Sequence, residues 1–123
     1  MEYTYNILDE VYFWMLSKQK NVEVRILKEK SEKIQVGDFI VFNNQGCTGQ
    51  FIKVKVTDKK IFNNVGELLD VYDVNSIMPS HTDIDLKELL HKIYGEELNT
   101  KKLVAFKFKY LSSDREDRNE KDD

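Results

Sequence analysis

Residues 20–26, with the sequence Lys-Asn-Val-Glu-Val-Arg-Ile, constrain the fold of this chain more than any other segment. Two valines and an isoleucine alternate there with Glu23 and Arg25, which is the period-two pattern of a strand with one buried face. The other face presents a carboxylate and a guanidinium, and Lys20 lies at the entrance of the strand. Gly37 and Asp38 then form a turn into a second apolar run. The sequence therefore predicts strands over about 22–27 and 38–43.

The rest of the chain mixes helical and strand patterns. Apolar residues recur at helical spacing over 7–17, with Asn6 placed as the cap. A polar hairpin loop over 43–50 leads into a strand over 52–57 that extends towards Phe62. Capping patterns begin at Asn64 and Thr82 and open two helices, the second of which ends at Gly95. A last strand over 103–110 completes an α+β fold with a mostly antiparallel, barrel-like sheet.

The length, composition and net charge of the chain limit its possible domain organisation. Its 123 residues, 41% of them hydrophobic and 33% charged, suit one globular domain. Residues 1–111 form that domain, and the polar tail over 112–123 is predicted to be disordered. The net charge of −3 resides in the tail, so the body is neutral and does not bind long nucleic acid through charge alone. A strongly basic protein is excluded, whereas a local basic patch is not.

Location, metals and cofactors are predicted from what the sequence lacks. No apolar run approaches the roughly 20 residues that cross a bilayer, and no membrane partner is expected. A single cysteine, Cys47, cannot form an internal disulfide, so the cytoplasm is the predicted location. Two histidines and one cysteine without close spacing predict no metal site, and no motif predicts a cofactor.

The order of these motifs resembles a known family. A helix, a Lys-x-x-Glu-x-Arg strand, a Val-Gly-Asp turn, a lysine-rich central strand, a helical insert and a closing strand are similar to the ASCH domain, a relative of the PUA domains of RNA-modifying proteins. The resemblance covers roughly residues 5–111. It implies a PUA-like, mostly antiparallel β-barrel flanked by an N-terminal helix and a helical insert, and a module that binds RNA or a nucleotide.

Some small members of that family resemble amidohydrolases of modified nucleosides such as acetylated cytidine. Their functional set includes a lysine, a threonine three residues later and a glutamate from the helical insert. Lys20 matches the lysine, but Glu23 takes the threonine position, and no glutamate falls just ahead of Thr82. A hydrolase would need Lys20 and Glu23 as catalytic residues, with Glu23 activating water. Lys20 and Arg25 oppose the raised pKa that this role requires.

Recognition is the favoured interpretation, with Lys20, Glu23 and Arg25 lining a cleft. The two cations donate to phosphate or carbonyl oxygens, and Glu23 accepts from an exocyclic amine. The insert around 73–82 would form the rim, and a stacking face would come from one of four aromatic residues, Phe39, Phe42, Tyr72 and Tyr110. The competing interpretation is an ion-pair ladder on a solvated sheet face.

A second candidate feature is a basic patch of four lysines, Lys53, Lys55, Lys59 and Lys60. Lysines at alternating strand positions are typical of the solvent-exposed face of a half-buried sheet, or of an edge strand that is protected against aggregation. If they instead follow a phosphate backbone, RNA binding will depend strongly on salt. A further alternative, from a different class, is a protein-interaction or regulatory domain built on the same barrel.

Overall fold

The computed structural model of the chain describes residues 1–115. Within this range five strands form one sheet: β1 (Glu2–Ile7), β2 (Val22–Ile26), β3 (Phe39–Asn44), β4 (Phe51–Phe62) and β5 (Leu103–Ser113). The helices of the same range are α1 (Asp9–Leu16), α2 (Glu29–Lys33), α3 (Val65–Val71), α4 (Asp83–Tyr94) and α5 (Glu97–Thr100), with a 3-10 turn at Val74–Ser76. None of these helices has the length and apolar character needed to cross a membrane.

The sheet curls into a half-barrel with the strand order β1-β3-β4-β5-β2. β1 runs parallel to β3, and every other neighbouring pair is antiparallel, which confirms the predicted α+β class and mostly antiparallel sheet. β1 and β2 are therefore the two edges of the sheet. The side chain of Arg25 bridges them, since its Nη2 donates to the carbonyl of Asn6 over 3.3 Å, and Lys30 of α2 donates through Nζ to the carbonyl of Thr4 in β1.

Two apolar clusters cover opposite faces of the sheet. One fills the half-barrel and includes Tyr12 of α1, Phe42 of β3 and Phe106 of β5. The other packs the insert helices onto β2, with Leu68 of α3 and Leu86 of α4 as fully buried members. Because β2 lies between the two clusters, four of its five residues are buried, so the competing interpretation of a solvated sheet face does not hold.

The helix starts in the insert follow the predicted capping patterns. The Asn64 side chain accepts from the backbone N–H of Glu67, and Thr82 and Asp85 form a reciprocal capping box. Gly95 ends α4 with a φ of 56°, a left-handed value that favours glycine. The predicted N-terminal helix is present as α1, but its predicted start is wrong, because residues 2–7 form β1 and Leu8, not Asn6, precedes the first turn of α1.

The last strand continues beyond the expected end of the folded body. β5 includes Ser113, and the Asp114 carboxylate accepts from the hydroxyl of Tyr12 over 2.7 Å and from the backbone N–H of Phe51 over 3.0 Å. The first residues assigned to the tail thus belong to the packed structure. Residues 116–123, which carry the rest of the predicted disordered tail, lie outside the described residues.

Candidate functional site

The strand β2 places Glu23 and Arg25 on the concave side of the half-barrel. Glu23 lies opposite Phe106 and Arg25 opposite Val104 in the antiparallel register with β5. Lys20, which directly precedes β2, reaches the same region. Only 4% of Lys20 and 6% of Glu23 is exposed. The structure therefore brings the three predicted cleft residues together, in a buried cluster that differs from a solvated ion-pair ladder.

The Lys20 ammonium has three oxygen partners. Its Nζ lies 2.7 Å from the carbonyl oxygen of Val22, 2.8 Å from that of Ile77 and 3.1 Å from Glu23 Oε1. An ammonium has three N–H donors and no acceptor. Lys20 therefore has no donor left for a ligand, and its bond to Ile77 ties the helical insert to β2.

Glu23 connects the two cations. Its Oε1 pairs with Lys20, and its Oε2 accepts from Arg25 Nε over 3.0 Å and from Arg25 Nη2 over 2.8 Å. The remaining Nη2 proton of Arg25 goes to the carbonyl of Asn6. Within residues 1–115 the Nη1 group of Arg25 has no hydrogen-bond partner, so the guanidinium keeps two free donors in the cluster.

The ionisation of the cluster follows from burial and from these contacts. Burial acts to raise the pKa of Glu23, but Lys20 and Arg25 together hold it below its ordinary value. Burial lowers the pKa of the Lys20 ammonium against the opposing effect of Glu23. A carboxylate held in the charged form between two cations is a weak base, and it is placed to orient Arg25.

The lowered pKa of Glu23 predicts an acid-dependent loss of stability. A carboxyl whose pKa is lower in the folded state stabilises the fold fully above its unfolded value, about 4.3, and loses this contribution as pH falls through the folded value. We therefore expect the difference in unfolding free energy between wild type and Glu23→Gln to shrink from about pH 7 to about pH 3. Urea unfolding of both proteins across this pH range measures the difference in unfolding free energy. A difference that does not change with pH would contradict a lowered pKa for Glu23.

A cavity of about 300 Å³ opens beside the cluster, between α1, α4 and the bridged edges of the sheet. Its size is at the lower end of the range of small-molecule sites, about 300–1,000 Å³. Apolar side chains form most of the wall, and two aromatic residues, Trp14 and Tyr94, contribute to it. Polar groups come from Asn6, Gln45 and the cluster. The remaining lining residues are apolar: Ile7, Leu8, Val11, Val24, Ile77, Met78, Leu86, Leu89, Leu90 and Ile93.

The four predicted stacking residues do not line this cavity. Phe42 is fully buried in the half-barrel, and Phe39 lies under the ammonium of Lys53. Tyr72 packs edge-on against Phe62, and Tyr110 does not contribute to the cavity wall. His81 packs edge-on against Trp14, with ring centres 5.6 Å apart, and its Nδ1 lies 2.9 Å from the carbonyl of Pro79. In residues 1–115 no group of His, Cys, Asp and Glu side chains is arranged to hold a metal ion.

The four lysines of the predicted basic patch lie in different surroundings. Lys53 pairs with Glu2 over 3.0 Å, and Lys60 pairs with Asp58 over 2.6 Å. The lysines are divided by an irregularity between Val56 and Asp58, after which Lys59 lies opposite Phe106.

Lys59 and Lys55 show the contrast within the patch. Lys59 donates to the backbone carbonyls of Glu32 and Ile34. Lys55 lies opposite Lys109 and is exposed, with no ion pair to any of residues 1–115. Three of the four ammonium groups thus already have partners within the fold.

Comparison with known proteins gives the fold of this chain. No family model and no curated protein matches its sequence. Among solved structures, the hypothetical protein PH0355 is 22% identical with a TM-score of 0.78, covering 90% of this chain and 100% of that one. Protein PF0455 from Pyrococcus furiosus is 24% identical with a TM-score of 0.71, covering 91% of this chain and 99% of the other.

A solved ASCH domain carries the family resemblance. The structure of the ASCH domain from Lactobacillus crispatus is 18% identical with a TM-score of 0.62, covering 89% of this chain and 79% of that one. A mutant ZmASCH protein from Zymomonas mobilis matches with a TM-score of 0.65 at 15% identity, over 86% of this chain and 66% of the other. The similarity spans nearly all of the described residues, so the expected architecture is confirmed: the chain has an ASCH-like fold.

Proposed function

We propose that the cavity beside Arg25 binds a nucleotide, either free or as an unpaired residue of RNA. The observation that supports this most is the pair of free Nη1 donors of Arg25 at the wall of a cavity that also contains two aromatic side chains. A planar, delocalised guanidinium suits recognition of phosphate and carbonyl oxygens. Unpaired bases are bound in proteins by stacking on aromatic rings and by hydrogen bonds to such donors.

In this proposal the three charged residues have different tasks. Arg25 contacts the ligand, because it alone keeps unused donors. Lys20 and Glu23 act as positioning residues, since Lys20 fixes one oxygen of Glu23 and the other oxygen holds Arg25. Trp14 and Tyr94 take the stacking role. The RNA-binding assignment thus depends on one exposed guanidinium edge, supported by a buried ion-pair network.

A hydrolytic role for the same residues is less consistent with the geometry. An activating base must accept a proton from water, and the preferred pKa for that work lies near the working pH. Both oxygens of Glu23 are hydrogen-bonded to cations, and its pKa is held below the ordinary value. We therefore propose binding without turnover.

Replacing Arg25 by Gln should weaken binding of a short single-stranded RNA by about tenfold or more, because a charge-assisted hydrogen bond contributes about 1.5–3 kcal/mol. Isothermal titration calorimetry at fixed ionic strength measures the change. Lys55→Gln is the matched control, since it removes one positive charge from an exposed strand position outside the cavity.

Two outcomes would contradict the proposal. If Arg25→Gln and Lys55→Gln weaken binding equally, the RNA is held by general charge attraction. If the wild-type protein binds neither RNA nor nucleotides, the protein-interaction alternative takes its place. Circular dichroism of each variant establishes that the comparison is made between folded proteins.

A further inference from the structure

The charges that face the cavity do not balance. Of the cavity-lining side chains in the described part of the chain, three carry a charge near neutral pH: the cations Lys20 and Arg25 and the single carboxylate Glu23. Burial raises the pKa of Tyr94 above its ordinary value, so its phenol supplies no negative charge. One formal positive charge is thus in excess at the cavity wall, and Arg25, whose side chain is 24% exposed, is the residue that can present it to an anion.

A further cation lies next to Arg25. The Cζ atom of Arg25 lies 4.1 Å from the centre of the Tyr5 ring, and Lys30 Nζ lies 4.0 Å from the same point. Lys30 is exposed and forms no ion pair within residues 1–115. Burial raises the pKa of Tyr5 to about 12, so this ring is neutral as well. Two cations therefore meet at the bridged sheet edges, and Glu23 is the one carboxylate paired with either of them.

The remainder of the cavity has the opposite character. Aliphatic side chains from α1 and α4, including Val11, Leu86 and Leu89, form much of its wall. This surface favours an uncharged, largely apolar group and offers an anion nothing in return for its lost hydration. The cavity therefore combines one cationic group with free donors, Arg25, and an extensive apolar wall.

We infer that the ligand presents a phosphate to Arg25 and places its base in the apolar part of the cavity. This inference rests on the proposed function and makes it specific, because the preferred ligand is then a nucleotide and not an uncharged nucleoside. The opposite orientation, with Glu23 reading an exocyclic amine, requires a carboxylate that is 6% exposed and already bound to Lys20 and Arg25. The phosphate is either the terminal group of a mononucleotide or an internal diester of RNA.

Matched pairs of ligands test the inference. We would titrate the protein with the four ribonucleosides, with their 5′-monophosphates and with the corresponding dinucleoside monophosphates, at constant ionic strength. At least one phosphorylated form should bind about tenfold or more tightly than its nucleoside, the effect of one charge-assisted hydrogen bond. A preference for the 5′-monophosphate assigns the site to a terminal phosphate, whereas a preference for the dinucleoside monophosphate assigns it to an internal diester.

Three variants test which residue causes the preference for phosphorylated ligands. Arg25→Gln should reduce it to about twofold or less and Lys30→Gln should reduce it in part, while Lys55→Gln should leave it unchanged. If Arg25→Gln does not fold, Arg25→Lys replaces it, since Lys keeps the charge but loses the planar fork.

The outcomes separate this inference from the proposed function. Equal affinity for nucleosides and phosphorylated forms would overturn the inference and leave nucleotide binding intact. A phosphate preference that is undiminished in the folded Arg25 variant would also overturn it. The absence of any binding would overturn both.

Discussion

Replacing Glu23 by Gln should lower the free energy of unfolding by about 3 kcal/mol at neutral pH, the cost of breaking a buried ion pair by removing one partner. The substitution keeps the size of the side chain but removes the charge that compensates both Lys20 and Arg25. The Gln amide oxygen can accept from only one of these cations at full strength, and its NH₂ group faces the other. Urea unfolding at about pH 7, followed by circular dichroism, measures the change.

The control for this experiment is Glu29→Gln. Glu29 also pairs with a lysine, Lys33, over 3.2 Å, but both side chains are largely exposed. Exposed pairs of this kind contribute about 0.3–0.5 kcal/mol. A loss in Glu23→Gln no larger than in Glu29→Gln would mean that the network does not stabilise the fold, and the positioning role of Glu23 would then have no support.

Replacing Lys20 by Met should have an effect of similar size or larger, about 4 kcal/mol. Met fills the buried volume of the Lys stem without an N–H group. The carbonyls of Val22 and Ile77 lose a donor, and Glu23 keeps its charge with Arg25 as its remaining partner. Because the Ile77 contact connects the insert to β2, we also expect faster amide hydrogen exchange in residues 74–78.

A double variant tests whether the two residues act as one unit. If Lys20 and Glu23 stabilise the fold through each other, the loss in Lys20→Met with Glu23→Gln will be smaller than the sum of the single losses. Lys28→Met is the control for the lysine, since Lys28 pairs with Glu97 over 3.5 Å at an exposed position. Additive losses from the two buried substitutions would show that the 3.1 Å contact between them contributes nothing.

Much of the architecture could be predicted because local patterns agree with the final fold. Helix caps at Asn64 and Thr82 are set by neighbouring side chains, and apolar and polar residues alternate in β4 up to its irregularity between Val56 and Asp58. The strand β1 was missed, although Tyr3, Tyr5 and Ile7 alternate with polar residues there. Its partner β3 is more than 30 residues away and parallel to it. A pairing of this kind leaves no turn signal in the sequence.

The site could be predicted in composition but not in arrangement. Alternation in 22–26 identified Glu23 and Arg25 as sharing one face of the strand. Whether that face is exposed to solvent depends on which other elements of the fold pack over it. Trp14 was included in the apolar helix pattern over 7–17, because a cavity wall and a packed core have the same periodicity, and Tyr94 was not singled out by any pattern. The orientation of the Arg25 guanidinium also depends on the carbonyl of Asn6 in β1, the strand that no sequence pattern predicted.

The most direct test of the account is an NMR titration of isotopically labelled protein with a ribonucleoside 5′-monophosphate. We predict that the largest shift changes will fall on the Arg25 side-chain Nε–H, the Trp14 indole N–H and the backbone amides around Ile77, all at the cavity. Amides near Lys55 should change little. Shift changes confined to the exposed lysines of β4 and β5, or no changes at all, would contradict the proposal that this cavity is a nucleotide site.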